Sequence, residues 1–289
     1  MKSCIKEINR RHNGNCEIVI YEEGTRTISF LDKPRPEYPF NIDIKITDYC
    51  DLGCKMCHES STKRGEHGDL DLLFRLGIPR GTEIAIGGGN PLSHPGLISF
   101  LERAKKRWVV SLTVNQGHLV RFRDLIKEIL ARELVYGLGI SITSANYKLL
   151  KEFDFPGVAY HLIAGVNFPH EIERIKEVVP NAKFVILGYK KFGFGVDYHS
   201  PTVDMILREW ERELPFLLDN TLAFDNLAIE QLKVKDLFIE EFWEENYQGE
   251  FSMYIDLVKK EYARSSRSPI RTLINESIKH YFKKIENKH

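Results

Sequence analysis

Three cysteines stand within eight positions of the sequence, as Cys50-x3-Cys54-x2-Cys57, directly after the alternating run IDIKIT. Cysteine thiolates are the ligands that iron–sulfur clusters require, and three of them leave one iron of a four-iron cluster without a protein ligand. Gly53 allows the intervening loop to turn tightly, so that neighbouring thiolates can reach different irons. The spacing therefore predicts a 4Fe–4S cluster with one open coordination position.

A structural zinc site is the main alternative for the same cysteines. Zinc usually takes four nitrogen or sulfur ligands, often as two pairs, and His58 could complete a set with the three thiols. Because His58 directly follows Cys57, ligation by both is awkward, and we favour the cluster. The other two cysteines, Cys4 and Cys16, are predicted to be packed or surface thiols and not ligands of a second cluster.

Short β-rich runs alternate with segments of helical periodicity from residue 41 onward. This alternation is typical of a parallel sheet covered by helices, in which the carboxyl ends of the strands collect the functional loops. The cysteine loop follows the first strand and therefore lies at that edge. After the sixth strand we predict a helix over 203–214 and a further strand over 226–232. The six strands are predicted at 42–47, 83–86, 109–114, 136–142, 158–163 and 183–187.

The chain is predicted to contain three segments. Residues 1–38 carry a hairpin pattern at 15–31 and end in a proline-rich break. Residues 39–232 form the core, and residues 233–289 form a C-terminal extension that is mostly helical by composition. The predicted fold class is α/β: a partial (β/α)6 barrel with an N-terminal β-hairpin and a helical C-terminal extension that would act as a lid.

The cysteine spacing, in a loop after the first strand of a repeating strand–helix chain, resembles the radical S-adenosylmethionine (radical SAM) superfamily. The resemblance covers about residues 41–190. The second predicted strand ends in Gly87-Gly88-Gly89-Asn90, similar to the Gly-Gly-Glu-like segment that meets the methionine amino group of the cofactor in that family. Asn90 stands where an acidic residue is common, and its amide oxygen can still accept a hydrogen bond from an ammonium.

Weaker marks of the same superfamily follow the other strands. The third strand ends in Asn-Gln-Gly, the fourth in Ser-Ile-Thr and the fifth in a glycine-containing segment similar to the one near the adenine in members. The residue before the last cysteine is bulky, as it is in members. The resemblance implies Cys50, Cys54 and Cys57 as metal ligands and, as cofactor-binding residues, Met56, Gly87, Gly88, Gly89, Asn90, Asn115, Ser141, Thr143 and Gly165.

The resemblance also implies an activity. SAM would chelate the open iron through its amino and carboxylate groups, and one electron from the reduced cluster would break its sulfonium–carbon bond. The resulting 5′-deoxyadenosyl radical would abstract a hydrogen atom from a substrate, while the protein supplies orientation and excludes water and oxygen. We therefore expect an electron donor such as flavodoxin or ferredoxin as a partner.

Candidate substrate contacts lie in two stretches of the sequence. The loop after the cysteines holds His58, Glu59 and His67, which could contact a substrate or transfer protons, with a solvated loop as the alternative. Near the C-terminus, Arg267 and Arg271 lie among serines and offer donors suited to a carboxylate or phosphate. A disordered tail is the alternative there.

The charge balance excludes some classes of partner. Lys plus Arg equals Asp plus Glu at 41 each, so no overall field gathers nucleic acid or an anionic membrane. No apolar run approaches the ~20 residues of a membrane span, and the N-terminal residues lack the apolar segment of a signal peptide. We therefore expect a cytoplasmic protein without a membrane partner.

Three functions stay open from the sequence. The first, favoured because no cysteines are left for an auxiliary cluster, is a radical SAM enzyme that acts on a small-molecule or nucleotide-type substrate. The second is a radical SAM enzyme that acts on a protein or peptide, including an activase that installs a glycyl radical. The third is a non-catalytic, metal-stabilised binding module. For an enzyme, the reaction class, oxidoreductase or transferase, is also open.

Overall fold

Two β-sheets organise the part of the chain that the structure, a computed structural model, describes: residues 6–22, 24–238 and 251–286. Cys4 and the acidic stretch 240–250 lie outside these residues. The strands are β1 (Glu7–Asn13), β2 (Cys16–Tyr21), β3 (Arg26–Ser29), β4 (Asn41–Lys45), β5 (Glu83–Gly87), β6 (Val109–Asn115), β7 (Gly137–Ser141), β8 (Val158–Ile163), β9 (Phe184–Leu187), β10 (Leu222–Phe224), β11 (Ser252–Asp256), β12 (Glu261–Ala263) and β13 (Thr272–Leu273).

Helices connect most of the strands of the larger sheet. They are α1 (Asp71–Arg75), α2 (Leu97–Ala104), α3 (Arg123–Ala131), α4 (Glu171–Lys176), α5 (Gly195–Tyr198), α6 (Pro201–Leu217), α7 (Asn226–Gln231) and α8 (Ile278–Glu286). The helix predicted over 203–214 is confirmed as part of α6. None of the helices in the described ranges combines the length and apolarity needed to cross a membrane.

The smaller sheet contains the predicted hairpin. β2 and β3 pair antiparallel, with Ile18 opposite Ile28, and β1 adds a third strand on the other side of β2. The alternating apolar side chains predicted this hairpin, whereas β1 has the charged sequence EINRRHN and is mostly exposed. The pairing of β1 with β2 therefore could not be predicted from the apolar pattern.

The larger sheet follows the predicted strand–helix alternation. Its order is β10-β9-β8-β7-β6-β5-β4-β11-β12-β13, and β4 to β9, the six predicted strands, pair parallel with their sequence neighbours. The mixed α/β class with a mainly parallel central sheet is therefore confirmed. In the described part of the chain the sheet is open, with β10 and β13 at its edges. A partial (β/α)6 barrel stays a prediction.

The further strand predicted over 226–232 is wrong, because this segment forms α7. The Asp225 carboxylate accepts a hydrogen bond of 2.7 Å from the Ala228 backbone N–H, which caps the helix. The additional parallel strand is β10, which lies just before this cap and pairs with β9. The apolar pattern of this segment fits a strand or a helix, and the Asp225 side chain favours the helix because it pairs with a free backbone N–H of the first turn.

The prediction of a mostly helical C-terminal extension is also wrong. Within its described residues, 251–286, the extension forms three strands and one helix. β11 pairs parallel with β4, with Tyr254 opposite Asp43, and Met253 and Ile255 are buried in the same core as the central strands. The alternation in Ser-Met-Tyr-Ile-Asp fits a strand, and an unpaired β4 edge was available to receive it. The predicted boundaries, 1–38, 39–232 and 233–289, stay predictions.

The two faces of the larger sheet differ in chemistry. On one face Ile42, Ile44 and their counterparts are buried in a core with helix residues that include Phe100 and Trp210. On the other face the same strand presents Asn41, Asp43 and Lys45. We call this second side the polar face. Because successive side chains alternate across a strand, the helices cover one side of the sheet and leave polar groups on the other.

The sheet is strongly curved around its polar face. Asp43 of β4 and Asp225, which follows β10, line one cavity, although five strands separate β4 from β10 in the sheet order. Such an approach requires the sheet to curl, as twisted parallel sheets do. The curvature brings residues from both ends of the strand order to a common site.

Candidate functional site

The cysteine loop begins at the carboxyl end of β4 and is tied to the chain that follows it. The backbone N–H of Cys50 donates to Thr62 O at 2.9 Å, and that of Cys57 donates to Cys54 O at 3.1 Å. All three thiols are half-buried and free of disulfides. Burial raises the pKa values of Cys50 and Cys54, and the charges of neighbouring cysteines act in the same direction. The loop therefore gathers the three predicted ligands in one half-buried place.

The spacing of the three thiols distinguishes between the two metal hypotheses. Among the described His, Cys, Asp and Glu side chains, the three thiols are not a group whose ligand atoms all lie within 4.8 Å of one another. One tetrahedral zinc with Zn–S bonds of about 2.3 Å would hold three sulfurs about 3.8 Å apart. Thiolates bound to different irons of a cluster stand farther apart. The donor set thus fits a cluster better than a single zinc ion.

His58 does not join the thiols. Its Nε2 lies 3.2 Å from Lys190 Nζ and 3.3 Å from a Glu59 carboxylate oxygen. Burial lowers the pKa of His58, and the Lys190 charge acts in the same direction. The imidazole is therefore engaged by side chains on the polar face, and a Cys3His zinc set finds no support in this arrangement.

A second group of side chains stands beside Cys50. His118 Nε2 lies 2.9 Å from Asp51 Oδ1, and Arg121 pairs with the other carboxylate oxygen. His118 is 2% exposed, and its hydrogen bond lowers the pKa of Asp51. The Cys50 thiol, the Asp51 carboxylate and an imidazole nitrogen of His118 lie within 4.8 Å of one another. The contact of His118 with Asp51 was not predicted from the sequence, because the two residues are distant in the sequence and no motif links them.

The predicted cofactor segment at the end of β5 holds the cysteine loop in place. The backbone N–H of Gly89 donates to Thr47 O at 2.7 Å, and that of Asn90 donates to Tyr49 O at 2.6 Å. A Cβ on Gly89 would clash with the Tyr49 carbonyl oxygen. Gly88 has φ +117°, a conformation that favours glycine. These glycines therefore let two backbone segments approach closely just before the first cysteine.

The side chain of Asn90 makes its hydrogen bonds within the protein. It is completely buried at 0% exposure, its oxygen accepts from the Leu92 N–H at 3.2 Å, and its amide donates to Ser93 Oγ at 2.7 Å. Asn90 thus caps the 3-10 turn Pro91–Ser93. The predicted contact of Asn90 with a cofactor ammonium stays a prediction.

Three of the other predicted cofactor residues do come together. Asn115 Nδ2 lies 3.9 Å from Cys54 Sγ, and Thr143 Oγ1 donates to Asn115 Oδ1 at 2.8 Å. Ser141 is the partner of Asn115 in the β6–β7 ladder. These polar groups lie at the carboxyl ends of adjacent strands and next to one predicted ligand. Their role in binding a cofactor stays a prediction.

The two remaining predicted cofactor residues occupy different surroundings. Met56 is half-buried within the cysteine loop. Gly165 has φ +91° and lies close to Val203 and Tyr189, which a Cβ would contact. Close packing and the positive φ therefore both favour glycine at position 165. A cofactor-binding role for Met56 or Gly165 stays a prediction.

A buried ion-pair network joins the cysteine loop to the C-terminal extension. Lys45 is 4% exposed, and its Nζ lies 2.8 Å from Glu59, 3.5 Å from Asp256 and in contact with Asp48. Burial acts to lower the pKa of Lys45, but the surrounding carboxylates raise it above its ordinary value. Burial acts to raise the pKa of Glu59, but His58 and Lys45 hold it far below its ordinary value. Both groups of this pair are therefore held charged.

One feature of the sequence does point to this network. A strand buried in a parallel sheet is usually a nearly continuous apolar run, yet β4 carries Asp43 and Lys45 at alternate positions. Two charged residues on one face of a central strand indicate that this face lines a polar site.

The C-terminal extension also reaches the cysteine loop. The Tyr254 hydroxyl donates to the Glu59 carboxylate at 3.3 Å, and the Arg271 guanidinium lies 4.8 Å from the centre of the Tyr254 ring. Lys190 Nζ donates to Ser266 Oγ at 3.2 Å. The predicted substrate residues Glu59 and Arg271 are therefore in one neighbourhood.

His67 lies apart from the other predicted substrate residues. Its Nδ1 is 2.8 Å from Thr47 Oγ1, and its exposed ring is 4.9 Å from that of His94. Burial lowers the pKa of His67, and the His94 charge acts in the same direction. These contacts tie residues 66–68 to Ile46 and Thr47, just after β4, and the substrate role of His67 stays a prediction.

A cavity of about 310 Å³ opens on the polar face between the two ends of the sheet. Polar and charged groups line one part of it, and aromatic and aliphatic side chains line the rest. The lining residues are Arg26, Ile28, Phe40, Asn41, Asp43, Lys190, Asp225, Asn226, Leu227, Phe251, Ser252, Ser265, Ser266 and Arg267. Arg267, predicted as a substrate contact, is thus brought to a cavity that extends from the amino ends of β4 and β11 to Lys190, whose Nζ contacts His58 just after the cysteine loop.

Comparison with known proteins agrees with this arrangement. The family model of the radical SAM superfamily matches residues 44–183, which contain the cysteine loop and five of the strand ends. The tungsten-containing aldehyde ferredoxin oxidoreductase cofactor-modifying protein of Pyrococcus furiosus is 26% identical over 208 residues, which cover 67% of this chain and 50% of that protein. The chain therefore spans about half the length of this curated relative. Residues 44–183, with the cysteine loop inside them, therefore form a domain of the radical SAM superfamily of enzymes.

Proposed function

We propose that the protein reductively cleaves SAM at a 4Fe–4S cluster held by Cys50, Cys54 and Cys57. In this chemistry, one electron from a reduced donor breaks the sulfonium–carbon bond, which yields methionine and a 5′-deoxyadenosyl radical that takes a hydrogen atom from the substrate. The observation that carries the proposal is the half-buried loop of three thiols that do not all lie within 4.8 Å of one another.

The surrounding residues support a role in holding SAM. Asn115 and Thr143 present a connected polar pair beside Cys54, suited to hydroxyl or carboxylate groups of the cofactor. At Gly87 no atom lies within 4 Å of the position that a Cβ would take. A ligand on the polar face can therefore approach the backbone there, which is the use that a glycine at this strand end allows.

A small-molecule substrate, including a nucleotide-type one, is favoured over a protein or peptide. The cavity volume of about 310 Å³ is at the lower end of the range for small-molecule sites. The relative from Pyrococcus furiosus is named a cofactor-modifying protein, and a cofactor is a small molecule. A peptide substrate, a glycyl-radical partner and a non-catalytic binding module are the alternatives.

We propose that the C-terminal extension covers the site. β11 extends the sheet beside β4, and its Tyr254 and Asp256 contact Glu59 and Lys45 of the core. Radical chemistry requires water and oxygen to be kept out. These contacts support the lid role, and an electron donor such as flavodoxin or ferredoxin is proposed as the external partner.

The test is anaerobic reconstitution of the full chain with iron and sulfide. We expect about four irons and four sulfides per chain and formation of 5′-deoxyadenosine from SAM after reduction. Cys50→Ala, Cys54→Ala and Cys57→Ala should each abolish both, whereas Cys16→Ala, in the N-terminal sheet, should retain them. Stoichiometric zinc without labile sulfide in the wild-type protein would contradict the proposal.

A further inference from the structure

Two opposite charges face each other across the cavity without touching. Asp43 projects from the middle of β4, and Lys190 follows β9 on the far side of the sheet order. Their charges interact, but no ion pair within 4.0 Å joins them among the residues that the structure describes. The space between them is therefore open to a ligand that carries charges of its own.

Neither group is neutralised by its immediate neighbours. Within the described ranges, the Asp43 carboxylate has no hydrogen bond or ion pair, and burial raises its pKa. Lys190 Nζ contacts His58 Nε2 and Ser266 Oγ, each at 3.2 Å, and neither contact is a carboxylate. Burial lowers the pKa of Lys190. Asp43 is exposed towards the cavity and Lys190 is half-buried, so a ligand that supplies both opposite charges can reach both groups and be stabilised by both.

The other charged residues of the cavity are of both signs, and Asp225, which accepts a hydrogen bond from Gly188 N at 2.9 Å, lies on the side of Lys190. Arg267 and the hydroxyls of Ser265 and Ser266 stand with Lys190, and Asp225 is a second acid in the lining. Arg267 also pairs with Glu230 at 3.8 Å, and Asp225 uses one oxygen to cap α7. Donors for an anion and acceptors for a cation are therefore both present, in a site that a compact molecule would fill.

An apolar wall completes the cavity. Phe40 and Phe251 stack with their ring centres 5.1 Å apart, and Ile28 and Leu227 line the cavity with them. This wall suits a short carbon skeleton between two charged ends.

We propose that this cavity binds the substrate and that the substrate is a small zwitterion, with an ammonium group near Asp43 and an anionic group near Lys190 and Arg267. The proposal rests on the proposed radical SAM function and names the substrate class for it. A carboxylate and a phosphate share the required chemistry at the anionic end, and the experiment distinguishes them.

The experiment measures binding to the reconstituted full chain by ligand-observed NMR, without turnover. The probes are 4-aminobutyrate, butyrate and butylamine, which have the same chain length and differ in charge, together with O-phosphoethanolamine. We expect at least one of the two zwitterions to bind about tenfold more tightly than either singly charged probe, since about 1.4 kcal/mol per tenfold is within reach of one added ion contact. The tighter of the two zwitterions identifies the anionic group as carboxylate or phosphate.

Variants locate the two charges. Asp43→Asn, which keeps the side-chain shape, should weaken the zwitterions about tenfold and leave butyrate unchanged, whereas Lys190→Gln should weaken the zwitterions and butyrate together. The exposed neighbour Lys191 provides the control, and Lys191→Gln should change none of the affinities. Iron content and the urea unfolding midpoint, compared with those of the wild type, show that each variant is folded.

Three outcomes would overturn the proposal. Equal affinity for the zwitterions and the singly charged probes is one, and the absence of measurable binding by all probes is another. Displacement of the bound zwitterion by SAM is the third, because it would assign the cavity to the methionyl end of SAM. Selective zwitterion binding by a protein that forms no 5′-deoxyadenosine would instead refute the proposed function and leave the cavity's ligand class standing.

Discussion

His161 is a half-buried histidine with a buried Nδ1, and its protonation should make the fold sensitive to acid. It lies on the polar face in β8, and its ring packs so closely over Gly139 of β7 that a Cβ there would clash with it. Its Nδ1 is buried without a hydrogen-bond partner in the described part of the chain. Burial lowers the pKa of His161 from 6.5 to about 4. The folded protein therefore holds this imidazole neutral.

The sign and size of the effect follow from the two pKa values. Above 6.5 the group is neutral in the folded and unfolded states, so its neutral form costs nothing. As the pH falls from 6.5 towards about 4, the unfolded chain takes up the proton and the folded chain does not, which favours unfolding. Between about pH 7.5 and about pH 5 the free energy of unfolding should fall by about 2 kcal/mol from this residue alone.

The assay is urea unfolding of wild-type protein and His161→Phe at these two pH values. Phenylalanine keeps the ring and removes the titration, so the variant should lose about 2 kcal/mol less stability than the wild type on acidification. Comparing the two proteins at each pH cancels contributions common to both, including any loss of cluster. His12→Phe, at a side chain that is 77% exposed, should behave as the wild type does. An equal loss in wild type and His161→Phe would refute the reasoning.

Two further predictions concern the cysteine loop. Lys45→Met leaves Glu59 and its neighbouring carboxylates without their buried cation, so the free energy of unfolding in urea should fall by about 3–5 kcal/mol. The control Lys176→Met removes a more exposed ion pair and should lower the free energy of unfolding by about 0–1 kcal/mol. Similar losses in the two variants would contradict the stabilising role of the Lys45 network. Gly89→Ala should lower the free energy of unfolding by about 1–3 kcal/mol and should lower the iron content after reconstitution. The control Gly87→Ala, where the added Cβ would meet open space, should lower the free energy of unfolding by less. Equal iron content in the two variants would contradict the role of Gly89 in anchoring the cysteine loop.

The sequence predicted those features that depend on local pattern. The spacing of Cys50, Cys54 and Cys57 places three thiols in one loop whatever the rest of the chain does. The strand–helix alternation determined the six parallel strands, because burial on a sheet face requires apolar residues at every second position. Strand order also followed, since each connection is short and right-handed crossovers place successive strands side by side.

The local sequence pattern did not predict the structure where residues distant in the sequence determine it. The segment around Tyr254 became a strand because the edge of β4 was available to pair with it. Asn90 matched a family motif by position, yet its amide is used to cap a turn, and this depends on atoms that the motif does not specify. Its neighbouring glycines were recognised, but their close contact with the backbone of 47–49 was not predictable from the motif.

The composition of the site was decided by tertiary structure. Lys45 and Asp256 stand more than two hundred positions apart in the sequence, yet they share one ion-pair network. Asp43 and Lys190 line one cavity only because the sheet curls. A charged residue by itself is most simply interpreted as solvent-exposed, and only the packing of the whole chain shows which charges are removed from water and which of them face each other. The superfamily domain and the loop of three cysteines could therefore be predicted from sequence, whereas the charged lining of the cavity could not.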